Sequence, residues 1–161
     1  MTTSEYNDCV DRHSNGVYRF VLKNLNDEEK ARDVVQDSYE KMWIKRHDVE
    51  GAKARAYLFT TAYHTMIDYL RRERHLVQMS EDNTPSAGYR NDYTGLKEIL
   101  DEAVQRLPDI QRSVVLLRDY EGYSYQEIGQ ITGLSESQVK VYIFRARVAL
   151  KNYIGSLDAV I

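Results

Sequence analysis

The 161-residue chain has one cysteine, two prolines and eight glycines, and each scarcity closes off a class of protein. Cys9 alone can form neither an internal disulfide nor a cysteine-based metal cluster, so a reducing cytoplasm is the default compartment. So few glycines and prolines exclude a collagenous or broadly disordered chain. The longest aliphatic run is only residues 114–117, and the opening MTTSEYNDCVDR has no apolar signal-peptide core. The chain is therefore expected to be neither exported nor membrane-inserted. Catalytic patterns are missing as well. His13, His47, His64 and His75 show no metal-ligand spacing with carboxylates, Cys9 has no evident base nearby, and there is no glycine-rich phosphate loop. No enzyme activity, cofactor or metal is expected.

What remains is a chain that is 42% hydrophobic and 29% charged, suited to a folded, helical protein of one medium domain or two small ones. Its net charge of −3 argues against a surface that binds nucleic acid everywhere. The distribution says more. Residues 51–75 hold five basic and two acidic groups and residues 135–161 hold four and two, whereas residues 1–50, 76–108 and 109–134 are each net acidic. Two basic segments stand apart in an acidic background.

Apolar positions at Val10, Val17, Phe20, Val21 and Leu25 predict a first helix over residues 5–24. Asn26 can cap a second helix from about Asp27, with Glu29 at the capping-box position. Its packed side is expected to carry Ala31, Val34, Val35, Tyr39, Met42 and Trp43, leaving Arg32, Asp33, Gln36, Asp37, Glu40 and Lys41 largely outside. A third helix, about 52–74, has Tyr57, Leu58, Thr61, Ala62, Thr65, Met66, Tyr69 and Leu70 on or near one side and ends in the cluster RRER. Three such helices are enough for a small bundle. Residues 76–94 lose the periodicity and read as a flexible linker that could extend to roughly 60 Å at ~3.3 Å per residue.

A second block opens with a helical stripe from Leu96 to Leu107, stopped by Pro108, and continues in a helix from Asp109 to about Tyr120. Ser124 and Glu127 then form a capping-box pattern, Gly133 suits a left-handed helix stop, and Ser135 with Gln138 repeats the box. A short helix, a glycine turn and a longer helix make the helix-turn-helix layout. The long helix, to about Tyr153, is expected to pack through Val139, Ile143, Ala146, Ala149 and Leu150. It would present Ser137, Lys140, Val141, Phe144, Arg145 and Lys151, with its N-terminal end facing base edges: arginine and lysine as donors, apolar groups for thymine methyls. Taken alone, these patterns also suit a stand-alone DNA-binding regulator or a helical interaction protein without a DNA role.

The segments EGYSYQEIG and VKVYIFRARVAL resemble region 4 of bacterial RNA polymerase sigma factors of the small, extracytoplasmic-function type, the region that reads the minus-35 promoter element. RDVVQDSYEKMW resembles region 2.2, which grips the clamp helices of the largest polymerase subunit, and RAYLFTTAYHTMIDYLRRE resembles regions 2.3 and 2.4, which open and read the minus-10 element. The resemblance implies an all-α chain of two small helical domains, residues 1–75 and 95–161, joined by the linker 76–94. It implies a promoter-specificity subunit that binds core RNA polymerase, through the clamp helices and the flap of the second largest subunit, and promoter DNA. Its minus-35 contacts would be Ser137, Lys140, Val141, Phe144 and Arg145; its minus-10 contacts Tyr63, His64, Asp68, Arg71 and Arg72; its polymerase contacts Asp33, Gln36, Asp37 and Glu40. Aromatic faces beside cations suit melting, since each stacked base contributes about 1–3 kcal/mol. The family often has Trp where Tyr57 stands and Asn where His64 stands, the second at a position that bears on minus-10 base preference. Many members have a dedicated anti-sigma partner; the sequence leaves open whether this chain does.

Overall fold

The computed structural model describes residues 1–79 and 95–158, and every regular element among them is helical. Three long helices come first: α1 (Thr3–Leu25), α2 (Glu28–Ile44) and α3 (Ala54–Met79). Four follow: α4 (Leu96–Gln105), α5 (Asp109–Val115), which runs on into a single π turn (Leu116–Tyr120), α6 (Tyr125–Thr132) and α7 (Glu136–Asp158). Helix contacts gather α1–α3 and α4–α7 into two separate compact units.

In the first unit each helix packs on the other two. Val17, Phe20 and Val21 from α1, Ala31, Val34 and Met42 from α2, and Leu58, Phe59, Ala62 and Met66 from α3 are buried together, with the Phe20 and Phe59 rings 5.8 Å apart. Phe59 lies off the stripe read from the sequence. Buried hydroxyls are satisfied locally: Ser38 donates to the Val34 carbonyl at 2.7 Å and Thr65 to the Thr61 carbonyl at 2.7 Å.

The caps differ from the sequence reading in one place. Asn26 does not cap α2. It closes α1 in the left-handed conformation, φ 54°, which asparagine tolerates better than most residues, and its N–H donates to the Leu22 carbonyl. Asp27, extended at φ −149°, therefore caps α2 by accepting from the Lys30 N–H at 3.0 Å. At the start of α1, Thr2 and Glu5 form a full capping box, which the sequence reading did not include. Two short 3-10 turns, Arg46–Asp48 and Gly51–Lys53, lead into α3, pinned by the buried Val49. α3 continues to Met79, past the expected end near Arg74 and into the stretch expected to be linker; residues 80–94 of that stretch lie outside the described residues.

In the second unit α7 packs against α4, α5 and α6. Both predicted capping boxes are present, at Ser124 with Glu127 and at Ser135 with Gln138, each bond between 3.0 and 3.1 Å. Gly133 between them is left-handed, φ 79°, and its N–H closes on the Gly129 carbonyl at 2.8 Å. Val139, Ile143 and Ala146 are buried and Leu150 packs beside them, but Ala149 is exposed. The buried positions keep a four-three-four rhythm, and Ala149 sits one residue, about 100°, off that line. The π turn was not foreseen. The Glu121 N–H reaches back to the Leu116 carbonyl at 3.1 Å, ending a helix whose residues 114–117 are all buried.

Candidate nucleic-acid interface

The start of α7 stands out from its unit as the two capping boxes and the glycine turn dictate. Ser137, Lys140, Val141, Phe144 and Arg145 are all exposed, Phe144 at 68%. Val148, also exposed, extends the apolar line by one turn and was missed, although its spacing of four from Phe144 marks the same face. Lys140 reaches Glu136 at 3.5 Å and stands 5.7 Å from the Tyr125 ring, whereas Arg145 makes no ion pair among the described residues. An exposed phenylalanine with cations on either side suits duplex DNA, where thymine methyls in the major groove offer an apolar contact and the backbone phosphates offer the opposite charge.

The basic end of α3 is more constrained. Tyr63 is only 6% exposed, and burial pushes its phenol pKa up, so it offers no free face for a base. It is a core residue, against the sequence expectation, because α3 is held between α1 and α2 and residues 58, 59, 62, 63, 65 and 66 all turn inward. Its ring instead braces the exposed His64, edge to face at 5.4 Å. Asp68 is half-buried and accepts from Arg71 at 2.7 Å, which directs that guanidinium. Arg72 is exposed and makes no ion pair among the described residues.

On α2 the four polar residues Asp33, Gln36, Asp37 and Glu40 share one exposed side. Two of the three basic groups of α2 are drawn to α3: Lys30 pairs with Glu73, and Lys41 Nζ donates to Thr65 Oγ1 at 2.9 Å, while Arg32, exposed beside Asp33, reaches Glu28 on its own helix at 3.8 Å. The stripe itself carries three carboxylates, with Arg32 as the exposed cation beside it. Ile44, 72% exposed, continues it one turn beyond Glu40, a feature the sequence reading passed over. Trp43, expected to pack, is 37% exposed: Tyr6 covers one side edge-on at 4.9 Å and Arg46 lies 3.7 Å over the ring. Among the described residues no three His, Cys, Asp or Glu side chains gather to hold a metal ion, and no helix is long and apolar enough to cross a membrane.

Comparison with known families decides what this arrangement is. The sigma-70 region 2 model matches residues 9–76, which is the α1–α3 unit, and the sigma-70 region 4 model matches residues 97–150, within the α4–α7 unit. The chain belongs to the sigma-70 family. It is 31% identical over 145 residues to the ECF RNA polymerase sigma factor SigM of Bacillus subtilis, covering 86% of this chain and 88% of that one. It is 28% identical to the RNA polymerase sigma factor SigV of the same bacterium, covering 86% and 84%. Among solved structures, the sigma factor RpoE of Bartonella quintana, crystallised with the anti-sigma factor NepR, shares the fold at TM-score 0.83 and 24% identity, covering 95% of this chain and 98% of that chain. Sigma factors of this extracytoplasmic-function type direct promoter-specific initiation of transcription. For such a sigma factor the exposed start of α7 lies within region 4, and the acidic stripe of α2 and the basic end of α3 lie within region 2.

Proposed function

We propose that this sigma factor docks on core RNA polymerase through the acidic side of α2, at the clamp helices of the largest subunit, and through its second unit on the flap of the second largest. The exposed edge of α3, with His64, Arg71 and Arg72, meets the minus-10 element, and the start of α7, with Ser137, Lys140, Val141, Phe144 and Arg145, reads the minus-35 element. The chain contributes recognition and no catalytic chemistry of its own, and it works in the cytoplasm, where polymerase and promoters are. The observation that carries this reading is the exposed Phe144 flanked by Lys140 and Arg145 on a helix whose start is fixed by the Ser135–Gln138 capping box. Overall acidity fits it: affinity for DNA is borrowed from the enzyme, so the free chain binds promoters weakly. RpoE was crystallised with the anti-sigma factor NepR, and CnrH, a second structure of this fold, was solved in complex with the cytosolic domain of CnrY; a comparable anti-sigma partner is expected here.

Run-off transcription from genomic fragments tests the proposal. Discrete transcripts that need both this chain and core polymerase are the expected result; no specific initiation from any fragment overturns it. A gel shift with the free chain separates it from a stand-alone regulator, which would bind an operator tightly without polymerase.

A further inference from the structure

Promoter reading makes no use of Asp119, an acidic residue on the unit that carries the minus-35 helix. It lies in the π turn, just past the buried residues 114–117, and its carboxylate crosses to α7. Arg147 donates from Nη2 to Oδ1 at 2.6 Å and from Nε to Oδ2 at 3.2 Å, two parallel bonds spanning 28 residues of chain. The same corner holds the start of α6. There the Arg118 guanidinium lies 4.6 Å over the Tyr125 ring and donates to the Tyr123 carbonyl at 2.9 Å, and Lys140 approaches the same ring from α7.

Although α7 meets three helices, its fully buried residues, Val139, Ile143 and Ala146, run in one line along it. A single line of aliphatic contacts fixes where a helix lies better than how it is turned about its own axis. Arg147 sits one residue, about 100°, away from that line, and a planar two-bond pair is directional where aliphatic packing is not. We propose that Asp119 is a positioning residue for minus-35 reading: through Arg147 it sets the rotation of α7, and so which edge of Lys140, Phe144 and Arg145 meets the bases. This rests on the assignment of α7 as the minus-35 reader. Stability is a poor alternative purpose, because both side chains are close to half exposed, at 40% and 48%, and such pairs add little to folding.

The sign of one substitution decides. If Asp119 acts only as a charge near DNA, removing it relieves repulsion from phosphate and tightens binding to any sequence. If it positions α7, removing it weakens discrimination. The readout is the ratio of holoenzyme affinities for a promoter with its minus-35 element intact and with that element scrambled, a ratio in which bulk charge cancels. Asp119→Asn and Arg147→Gln are each expected to lower it about tenfold, the loss of one good base contact, and the double variant no further, since the two act as one unit. Thermal melting should barely change. Additive losses, an unchanged ratio, or tighter binding of Asp119→Asn to both DNAs would each overturn the proposal. So would a uniform loss of affinity in Arg147→Gln with a salt slope lower by about one, the mark of a phosphate contact. Arg145→Ala runs alongside: if it too leaves the ratio unchanged, the minus-35 assignment has failed, and if it alone lowers the ratio, only the role of Asp119 has.

Discussion

The first unit spreads its proposed contact residues over two helices, while the second gathers them on one. Packing explains the difference. α3 has neighbours on two sides, so most of its circumference between Leu58 and Met66 is core, and what it can show is an edge and a charged end. α7 buries one line and leaves the rest of its early turns in solvent, so it can display Val141, Phe144 and Val148 together with Lys140 and Arg145. A helix held on two sides is limited to polar contacts at its margins; a helix held along one line can present an apolar reading surface.

The largest effect expected from this contrast is on stability. Phe20→Ala removes a fully buried ring from the centre of the first unit, at a cost of about 3–5 kcal/mol. Calorimetry of the full chain should show the transition of the first unit collapsing while that of the second stays in place; one transition shifting as a whole would mean the two cores are not separate. Next comes Arg145→Ala, expected to weaken minus-35 discrimination by about 1–3 kcal/mol while leaving affinity for core polymerase unchanged. Equal losses in both measurements would break the division of labour between the units.

Asp37→Arg probes the other unit in the complementary direction. Reversing a charge in this acidic stripe should weaken polymerase binding about tenfold, roughly 1.4 kcal/mol, at low salt. The loss should appear mainly in the association rate and shrink as added salt screens it. Minus-35 discrimination by the assembled holoenzyme should not move. A salt-independent loss would mean that Asp37 is packed in the interface rather than steering toward it.

Local signals made the second unit the more legible of the two in sequence. Its helix boundaries are set by residues adjacent in the chain, Ser124 with Glu127, Gly133, Ser135 with Gln138, and each does in the structure what its chemistry suggests. The first unit depends on which of three helices faces which, and periodicity within one helix does not carry that information. Tyr63 and Phe59 could not be sorted into core because the buried side of α3 is wider than a single-partner stripe. Asn26 was read as the cap of α2, and only the left-handed end of α1 hands that role to Asp27. The Asp119–Arg147 pair joins residues 28 positions apart and has no local signature at all. By contrast, Thr2 with Glu5 and the spacing of Val148 from Phe144 were readable patterns that went unread.

The smallest predicted effect compares the two units at the same kind of bond. Thr2 and Ser135 are both capping-box residues, with side chains accepting at 3.1 Å from the third residue of the helix. Loss of such a cap costs typically about 1 kcal/mol when the first turn is tied to the rest of the fold. In α7 the first buried residue, Val139, comes only four positions after Ser135 and its N–H bonds the Ser135 carbonyl at 3.0 Å, so a frayed first turn loosens the core contact and the reading surface together. In α1 the first buried residue is Cys9, nearly two turns beyond Thr2, so fraying there can stop short of the core. Ser135→Ala should therefore lower the stability of its unit by about 1 kcal/mol in urea unfolding, with a matching loss of minus-35 affinity, and Thr2→Ala by a small fraction of that. Equal losses would show that the bond between the Tyr6 hydroxyl and the Tyr39 carbonyl, 3.0 Å, already ties the first turn of α1 into its unit. The two helices would then differ in what they display but not in how their starts are held.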